Sequence, residues 1–242
     1  MVRNLWIYGV LLLLFQALAA CGGENSDRGG SVQPDGRLLF PSAQVADNNM
    51  TAEPARQIVA FGDSLYAGYR LGPKEGFVPQ LQADLRSKGY GVTVRNAGVS
   101  GDTTAAGLRR INFVLDNVDQ KIELLLLGLG GNDMLRGIKP AETRANLKAI
   151  LDELKKRSIP VMLTGMVAAP NLGPDYAREF NAIYADLAKE YDAPLYPFFL
   201  DGVVTNGSLM LADNVHPNAD GVAKVVGQLS PLVEKALDKE KS

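Results

Sequence analysis

The chain has 242 residues, a formal net charge of −2 at pH 7, one cysteine and one histidine. With no basic run and no basic-aromatic stripe, this balance excludes nucleic acid as an expected partner. A single cysteine forms no internal disulfide, and one Cys with one His is too few for a Cys/His zinc site. We therefore expect no cofactor and no metal, although the composition leaves open a cation bound by carboxylates alone.

The first 20 residues are typical of an export signal. Arg3 supplies a positive start, residues 5–18 are almost entirely apolar, and Ala19 and Ala20 form a small-residue cleavage site. The apolar run is shorter than the roughly 20 residues that cross a bilayer as a helix. A cleaved signal is therefore predicted, with an uncleaved membrane anchor as the alternative.

Residues 18–21, LAAC, resemble the lipobox of bacterial lipoproteins. In that family the chain is cut before the cysteine, which then carries lipid, and this would explain the lone Cys21. By the habit of that family, Gly22 in place of aspartate implies the outer membrane. The resemblance thus implies an exported, periplasmic protein attached to a bacterial membrane through Cys21.

Residues 21–56 are predicted to be a flexible tether. They are rich in Gly, Asn, Asp, Ser and Pro, and such a segment buries too little apolar surface to fold alone. A coil of this length holds its ends roughly 30–35 Å apart, which is enough to keep a domain clear of a membrane. Its apolar island, residues 38–40, predicts only a weak docking patch. The folded domain is then expected over residues 57–242.

From residue 57 onward, short apolar runs alternate with helical patterns. The runs that suit strands are residues 57–61, 91–95, 122–127, 160–164 and 193–196. Apolar residues at helical spacing predict helices around residues 147–154, 180–191 and 222–233, with Pro140, Pro174 and Pro217 near helix starts. This alternation predicts an α/β domain, a flavodoxin-like three-layer α/β/α sandwich with a five-stranded parallel sheet of order 2-1-3-4-5.

Polar clusters follow four of the five predicted strands. GDSL (62–65) follows the first, NAGVSGDT (96–103) the second and GLGGND (128–133) the third, while DNVHP (213–217) comes after the fifth. Ligands of such sheets bind beyond the carboxyl ends of the strands, which meet at one edge. The four clusters are therefore expected at a common site.

A serine, a histidine and an aspartate at one edge form a nucleophile, its base and an orienting carboxylate. The Ser64 hydroxyl needs a base whose pKa is near 6.5, and His216 is the only imidazole in the chain. Asp213 precedes it by three residues and lies on the same face if this segment is helical. The alternative is a surface loop in which Asp213 and Pro217 only shape a turn.

The oxyanion formed by such an attack needs hydrogen-bond donors. Candidates are the backbone N–H groups of Ser64 and Gly101 and the side-chain amide of Asn132, while Gly98 in the same block leaves the choice of glycine open. Ordinary turn roles are the alternatives for Ser64 and Asn132. Three neighbouring carboxylates are expected only to hydrogen-bond within their own loops: Asp63, Asp102 and Asp133.

Two other enzyme classes do not fit these motifs. No serine has the G-x-S-x-G context of an α/β-hydrolase. GLGGND departs from the dinucleotide-binding G-x-G-x-x-G at Asp133 and follows the third predicted strand rather than the first.

GDSL, the glycine of SGDT, the asparagine of GGND and D-x-x-H-P resemble the four blocks of the SGNH (GDSL) hydrolases. More narrowly, the chain resembles the bacterial thioesterase I, lysophospholipase and arylesterase group, in block order and spacing across the predicted domain. Tyr66 departs from the Ser or Thr usual in that family. The resemblance implies a triad of Ser64, Asp213 and His216, and an oxyanion hole with Gly101 and Asn132.

The expected activity is a serine esterase that hydrolyses carboxylic esters or thioesters through an acyl-enzyme. Aryl esters, short or medium acyl esters and lysophospholipids are the expected substrates, and an exported site has little access to cytosolic thioesters. A carbohydrate or cell-wall acetylesterase and a non-catalytic acyl-binding lipoprotein are the alternatives. The sequence does not indicate an oligomeric state.

Apolar residues in two predicted loops, after the third and fourth strands, favour an acyl-chain substrate. The same loops contain few aromatic residues, which sugar platforms need. Packing beneath the loops is the alternative role for these side chains. The candidates for the lining are Met134, Leu135, Ile138, Met166, Val167 and Leu172.

Overall fold

The computed structural model describes residues 55–239. The predicted signal of residues 1–20, Cys21 and nearly all of the predicted tether lie outside the described residues. Within residues 55–239, no helix combines the length and the apolar character needed to cross a membrane.

Across residues 55–239, five parallel strands form one sheet. They are β1 (Arg56–Gly62), β2 (Val92–Gly98), β3 (Ile122–Gly128), β4 (Val161–Thr164) and β5 (Leu195–Tyr196). Their order is β2-β1-β3-β4-β5, which confirms the predicted order. In the register of the sheet Gly62 pairs with Gly98 on one side and with Gly128 on the other, so the central strands end level with one another.

In the part of the chain that the structure describes, seven α-helices connect and cover the strands. The bounds are α1 (Ser64–Ala67), α2 (Phe77–Ser87), α3 (Thr104–Asp116), α4 (Gly131–Leu135), α5 (Pro140–Lys156), α6 (Pro174–Glu190) and α7 (Ala219–Lys239). The three predicted helices are confirmed as α5, α6 and α7, and Pro140 and Pro174 are first residues of their helices. The sequence pattern did not single out α2 and α3. The buried face of α3 includes Thr104 and Gly107, which mask its apolar periodicity.

The two faces of the sheet carry separate apolar layers, which confirms the three-layer sandwich. Ile58 of β1 packs in one layer with residues of α2 and α7, and the next residue, Val59, packs in the other with residues of α3, α5 and α6. Strands covered on both faces have near-continuous apolar runs rather than alternating ones. This explains why the LLLL run of β3 is buried throughout.

Three strand-end glycines make room for Tyr66 of α1. A Cβ atom at Gly62 would lie 2.5 Å from Cγ of Tyr66, one at Gly98 would lie 2.8 Å from its Cβ, and one at Gly128 would lie 2.3 Å from its Cε2. These distances are shorter than any ordinary carbon–carbon contact. The level ends of β1, β2 and β3 therefore form a recess for Tyr66, the Tyr66 seat, which a side chain at any of the three glycines would fill.

The Tyr66 side chain is closely packed in this seat. It is 1% exposed, and its hydroxyl lies 2.8 Å from Oγ1 of Thr164 at the end of β4. Its ring packs against Phe77 of α2 and against Phe199, with centroids 4.8 and 5.4 Å away. Tyr66, which departs from the Ser or Thr usual in the hydrolases that the motifs resemble, thus supplies a core side chain that joins α1 to the sheet.

Replacement of Gly128 by alanine tests this seat. We expect Gly128→Ala to lower the free energy of unfolding by about 1–3 kcal/mol, because its Cβ would overlap the Tyr66 ring. Gly227→Ala in α7 is the matched control, since among residues 55–239 no atom outside the neighbouring backbone of α7 lies within 4 Å of a Cβ there. That control should gain about 0.5–1 kcal/mol from helix propensity. Equal denaturation midpoints for the two variants would contradict the overlap.

Candidate active site

Ser64 is the first residue of α1, directly beyond the carboxyl end of β1. The side chain of Asp63 caps this short helix by accepting the backbone N–H of Leu65 at 3.0 Å. The helix ends at Gly68, whose φ of 77° is left-handed and whose N–H donates to the Ser64 carbonyl. A first helical residue has no partner for its own N–H within the helix. The turn therefore presents both the hydroxyl and the N–H of Ser64 at the sheet edge.

The structure brings the three predicted triad residues together. Oγ of Ser64 lies 2.9 Å from Nε2 of His216, and Nδ1 of His216 lies 2.9 Å from Oδ2 of Asp213. Both distances are ordinary hydrogen-bond lengths. An ionised carboxylate only accepts, so the Nδ1 atom facing Asp213 carries a proton and Nε2 is free to accept from the serine hydroxyl.

Asp213 and His216 meet through a turn rather than a helix, which corrects the helical geometry considered above. Oδ1 of Asp213 accepts the backbone N–H groups of Val215 at 2.9 Å and His216 at 3.0 Å, and Asn214 adopts a left-handed φ of 54°. The two backbone N–H bonds are the main reason why the pKa of Asp213 is lowered to about 2. The carboxylate is therefore ionised at neutral pH.

The candidate oxyanion donors lie on neighbouring loops. Nδ2 of Asn132, in α4, donates to the Asp102 carbonyl at 3.0 Å, which fixes the direction of the amide. Gly101 has a left-handed φ of 86°, and its carbonyl accepts from Arg136 at 2.8 Å. Among the described residues, the Gly101 N–H has no hydrogen-bond acceptor. This N–H is therefore not committed to another group of the described residues, and Gly101 itself is not among the residues that line the pocket beside Ser64.

Gly98 has a different role from Gly101. Its N–H already donates to Oδ1 of Asn96 at 2.8 Å. A Cβ at Gly98 would lie 2.4 Å from the backbone nitrogen of Ala67, so this glycine allows α1 to approach β2. This geometry favours Gly101 over Gly98 as an oxyanion donor.

The expectation that three aspartates serve only their own loops is wrong. Asp63 caps its own turn, but its second oxygen also accepts from Asn132 of α4 at 3.4 Å. Asp102 forms an ion pair with Arg110 of α3 at 2.6 Å. Asp133 is completely buried and accepts from Thr104 of α3 and Thr143 of α5, because its side chain points between these helices. Within residues 55–239, no three His, Cys, Asp or Glu side chains form a cluster that could hold a metal ion.

A pocket of about 440 Å³ opens beside Ser64 and His216. Four of the six predicted lining residues border it: Met134, Leu135, Met166 and Val167. Ile138 and Leu172 do not. Leu172 packs against the core layer of α5 and α6, and the backbone of Ile138 is held by the Tyr176 hydroxyl at 3.0 Å. The alternative of packing beneath the loops therefore applies to Leu172.

One wall of this pocket was not predicted from the sequence. Further apolar side chains come from the long connection between β5 and α7: Phe198, Leu200, Val204 and Val215. The available signal was the apolar stretch PFFLDGVV directly after the fifth strand, at the edge where ligands of parallel sheets bind.

Asp63 lies beside the triad and is 3% exposed. Burial raises its pKa to about 6, partly opposed by the hydrogen bond from the Leu65 N–H and by the nearby imidazole of His216. Its second oxygen lies 3.4 Å from Nδ2 of Asn132. At neutral pH the domain therefore contains a buried carboxylate whose ionisation is unfavourable.

This ionisation predicts a pH-dependent stability. Because the pKa of Asp63 is raised in the folded protein, its ionisation destabilises the fold fully above about pH 6. This destabilisation disappears as the pH falls from about 6 to about 4 and the carboxyl group becomes protonated. Between pH 7 and pH 4.5, protonation of Asp63 should contribute about 2 kcal/mol to the free energy of unfolding. Urea denaturation of the wild type and of Asp63→Asn at both pH values isolates this contribution. Parallel pH dependences in the two proteins would contradict it.

Comparison with known proteins agrees with this geometry. Residues 60–224 match the GDSL-like Lipase/Acylhydrolase family. The chain is 35% identical over 202 residues to esterase TesA of Pseudomonas aeruginosa, covering 83% of this chain and 100% of that protein. It is 38% identical over 189 residues to thioesterase 1/protease 1/lysophospholipase L1 of Escherichia coli K12, and this match covers 75% of this chain and 87% of that protein.

The fold also matches solved structures. The crystal structure of AlinE4, an SGNH-hydrolase family esterase, is 54% identical with a TM-score of 0.65, and the match covers 75% of this chain and 96% of that one.

Proposed function

The chain belongs to the GDSL-like Lipase/Acylhydrolase family and hydrolyses esters, and we propose that Ser64, His216 and Asp213 perform this reaction through an acyl-enzyme. The observation that carries the proposal is the continuous hydrogen-bond chain from Oγ of Ser64 through the imidazole to the ionised Asp213. A serine alone at the sheet edge would be too weak a nucleophile.

The reaction then follows from the positions of the protons. Nε2 of His216 takes the proton of the Ser64 hydroxyl as Oγ attacks the ester carbonyl, and Asp213 stabilises the imidazolium. The imidazolium protonates the leaving alcohol. In the second half, His216 activates the water that releases the acid from Ser64.

The oxyanion of each tetrahedral intermediate is assigned to three donors. These are the N–H groups of Ser64 and Gly101 and the side-chain amide of Asn132. Support comes from the first-turn position of Ser64, from the Gly101 N–H, which has no acceptor among residues 55–239, and from the anchoring of the Asn132 amide by the Asp102 carbonyl. A site whose donors are already oriented stabilises charge without reorganisation.

The pocket supports an acyl chain as the acid part of the substrate. Its wall is mainly aliphatic, and Phe198 is the only Phe, Tyr or Trp side chain among the lining residues that the structure describes. Sugar platforms use several such rings, so aryl esters, acyl esters and lysophospholipids fit better than acetylated glycans. A carbohydrate acetylesterase is the second candidate function, and it is favoured only if kcat/KM is highest for acetate esters.

An acyl-length series tests this function. For the purified protein with p-nitrophenyl esters, we expect kcat/KM to rise beyond acetate, because each added methylene enters an apolar pocket. Ser64→Ala should lower kcat by about 10⁴-fold or more with the fold intact. A wild type inert towards every ester, or a Ser64→Ala protein as active as the wild type, would overturn the proposed mechanism.

Two surface variants, one in the pocket wall and one outside it as a control, test whether the pocket sets the chain-length preference. Val204 lies in the pocket wall and is 41% exposed, so Val204→Asn should flatten the chain-length preference by a few fold. Phe113 of α3 is 70% exposed but does not line the pocket, so Phe113→Ser should leave the preference unchanged. A kcat/KM that is highest for acetate and falls with acyl length would favour the acetylesterase function instead.

The proposed location is a bacterial membrane surface, with lipid on Cys21 and the outer membrane as destination. The lipobox-like LAAC and the glycine after it support this location. The attachment point is compatible with it. Arg56 begins β1 at the amino edge of the sheet, whereas Ser64 follows its carboxyl end. A tether that ends at Arg56 therefore joins the domain on the side away from the nucleophile.

Cys21→Ser tests the anchor. In cells fed radiolabelled palmitate, we expect the wild type to carry label and to fractionate with the outer membrane, because Cys21 is the only thiol to which lipid can be attached. The variant should be unlabelled and should leave the membrane fraction, with unchanged kcat/KM towards a soluble ester. An unlabelled wild type would refute the anchor.

A further inference from the structure

The residue after the Gly68 turn lies against the base of the proposed triad. The backbone N–H of Tyr69 donates to the Ser64 carbonyl at 3.2 Å, so its main chain is attached to the nucleophile's own turn. The half-buried Tyr69 ring lies on His216, with 4.4 Å between the ring centroids and 37° between the planes. One short segment thus positions both Ser64 and a ring in contact with the imidazole.

We propose that Tyr69 is a positioning residue for His216. This inference rests on the proposed function. The imidazole is held by two hydrogen bonds, one between Nδ1 and Asp213 and one between Nε2 and Ser64. The lone pairs and N–H groups of an imidazole point along the plane of its ring, so bonds at these atoms act in that plane. Such bonds permit the ring to rock about the line that joins the two nitrogens. A contact on the face of the ring removes this freedom.

Tyr69 also favours the charged form that arises during the reaction. An aromatic face within about 6 Å of a cation attracts it, and the imidazolium formed as Ser64 attacks lies within this distance. The attraction is stronger in the transition state than in the resting enzyme, so it lowers the barrier rather than strengthening substrate binding. Tyr69 is not among the pocket-lining residues that the structure describes, which separates it from the acyl-chain wall.

Kinetics distinguish two alternative roles of the Tyr69 ring. A ring that acts through His216 affects kcat, whereas a ring that contacts the substrate affects KM. For Tyr69→Leu we expect kcat to fall about 10-fold with KM within about 2-fold of the wild type. The rate at which Ser64 is phosphorylated by diethyl p-nitrophenyl phosphate should fall by a similar factor, since this reagent has no acyl chain to place in the pocket. Tyr69→Phe retains the ring and should restore both rates to within about 3-fold.

Tyr90→Leu is the matched control. Tyr90 precedes β2 at the amino edge of the sheet, where its hydroxyl donates to Asp238, so its loss should change neither rate. Thermal unfolding checks that each variant is folded, and Tyr69→Met replaces Tyr69→Leu if the leucine variant is not.

Three outcomes would overturn the inference. They are wild-type rates in the folded leucine or methionine variant, a phenylalanine variant as slow as the leucine one, and a rise in KM with unchanged kcat and unchanged phosphorylation. Failure of the proposed function has a different signature, because wild-type protein would then be inert towards both the esters and the phosphate.

Discussion

The packing of Tyr66 onto the level ends of three strands is the constraint on which the site depends. Because β1, β2 and β3 all end in glycine at the same height, α1 lies directly on the sheet edge. Asn96 reinforces this contact, since its side chain donates to the Tyr66 carbonyl and accepts the Gly98 N–H. The turn that contains Ser64 is therefore fixed by core packing as well as by its own hydrogen bonds.

The oxyanion loops are held by one another as well as by hydrogen bonds within their own turns. Arg110 pairs with the Asp102 side chain, donates to the Gly62 carbonyl and lies 4.0 Å from the centroid of the Phe61 ring. The Asp102 carbonyl in turn accepts from Asn132. The ends of β1, β2 and β3 are thus bound together around one small volume, which is the arrangement that preorganised charge stabilisation requires.

Sequence patterns predicted the sheet order and the gathering of Ser64, Asp213 and His216, because alternating strands and helices leave few topologies and because carboxyl ends share an edge. They did not predict contacts between distant segments. The buried bonds of Asp133 to α3 and α5 and the pocket wall formed after β5 depend on tertiary packing, which no local periodicity records. The choice between a helix and a turn at Asp213 stayed open for another reason, since a spacing of three residues suits a helix and a side-chain-capped turn equally well.

Two carboxylates adjoin His216, and their surroundings determine which of them serves it. Asp213 receives two backbone N–H bonds near the surface, which lower its pKa to about 2, whereas burial raises the pKa of Asp63 to about 6. At neutral pH only Asp213 keeps its charge without a large cost, and only it is hydrogen-bonded to the imidazole. Ionised Asp63 costs about 3 kcal/mol relative to an exposed carboxylate. Its place is explained by the cap that it forms on the turn of Ser64, so part of the domain's stability is given up to hold the nucleophile.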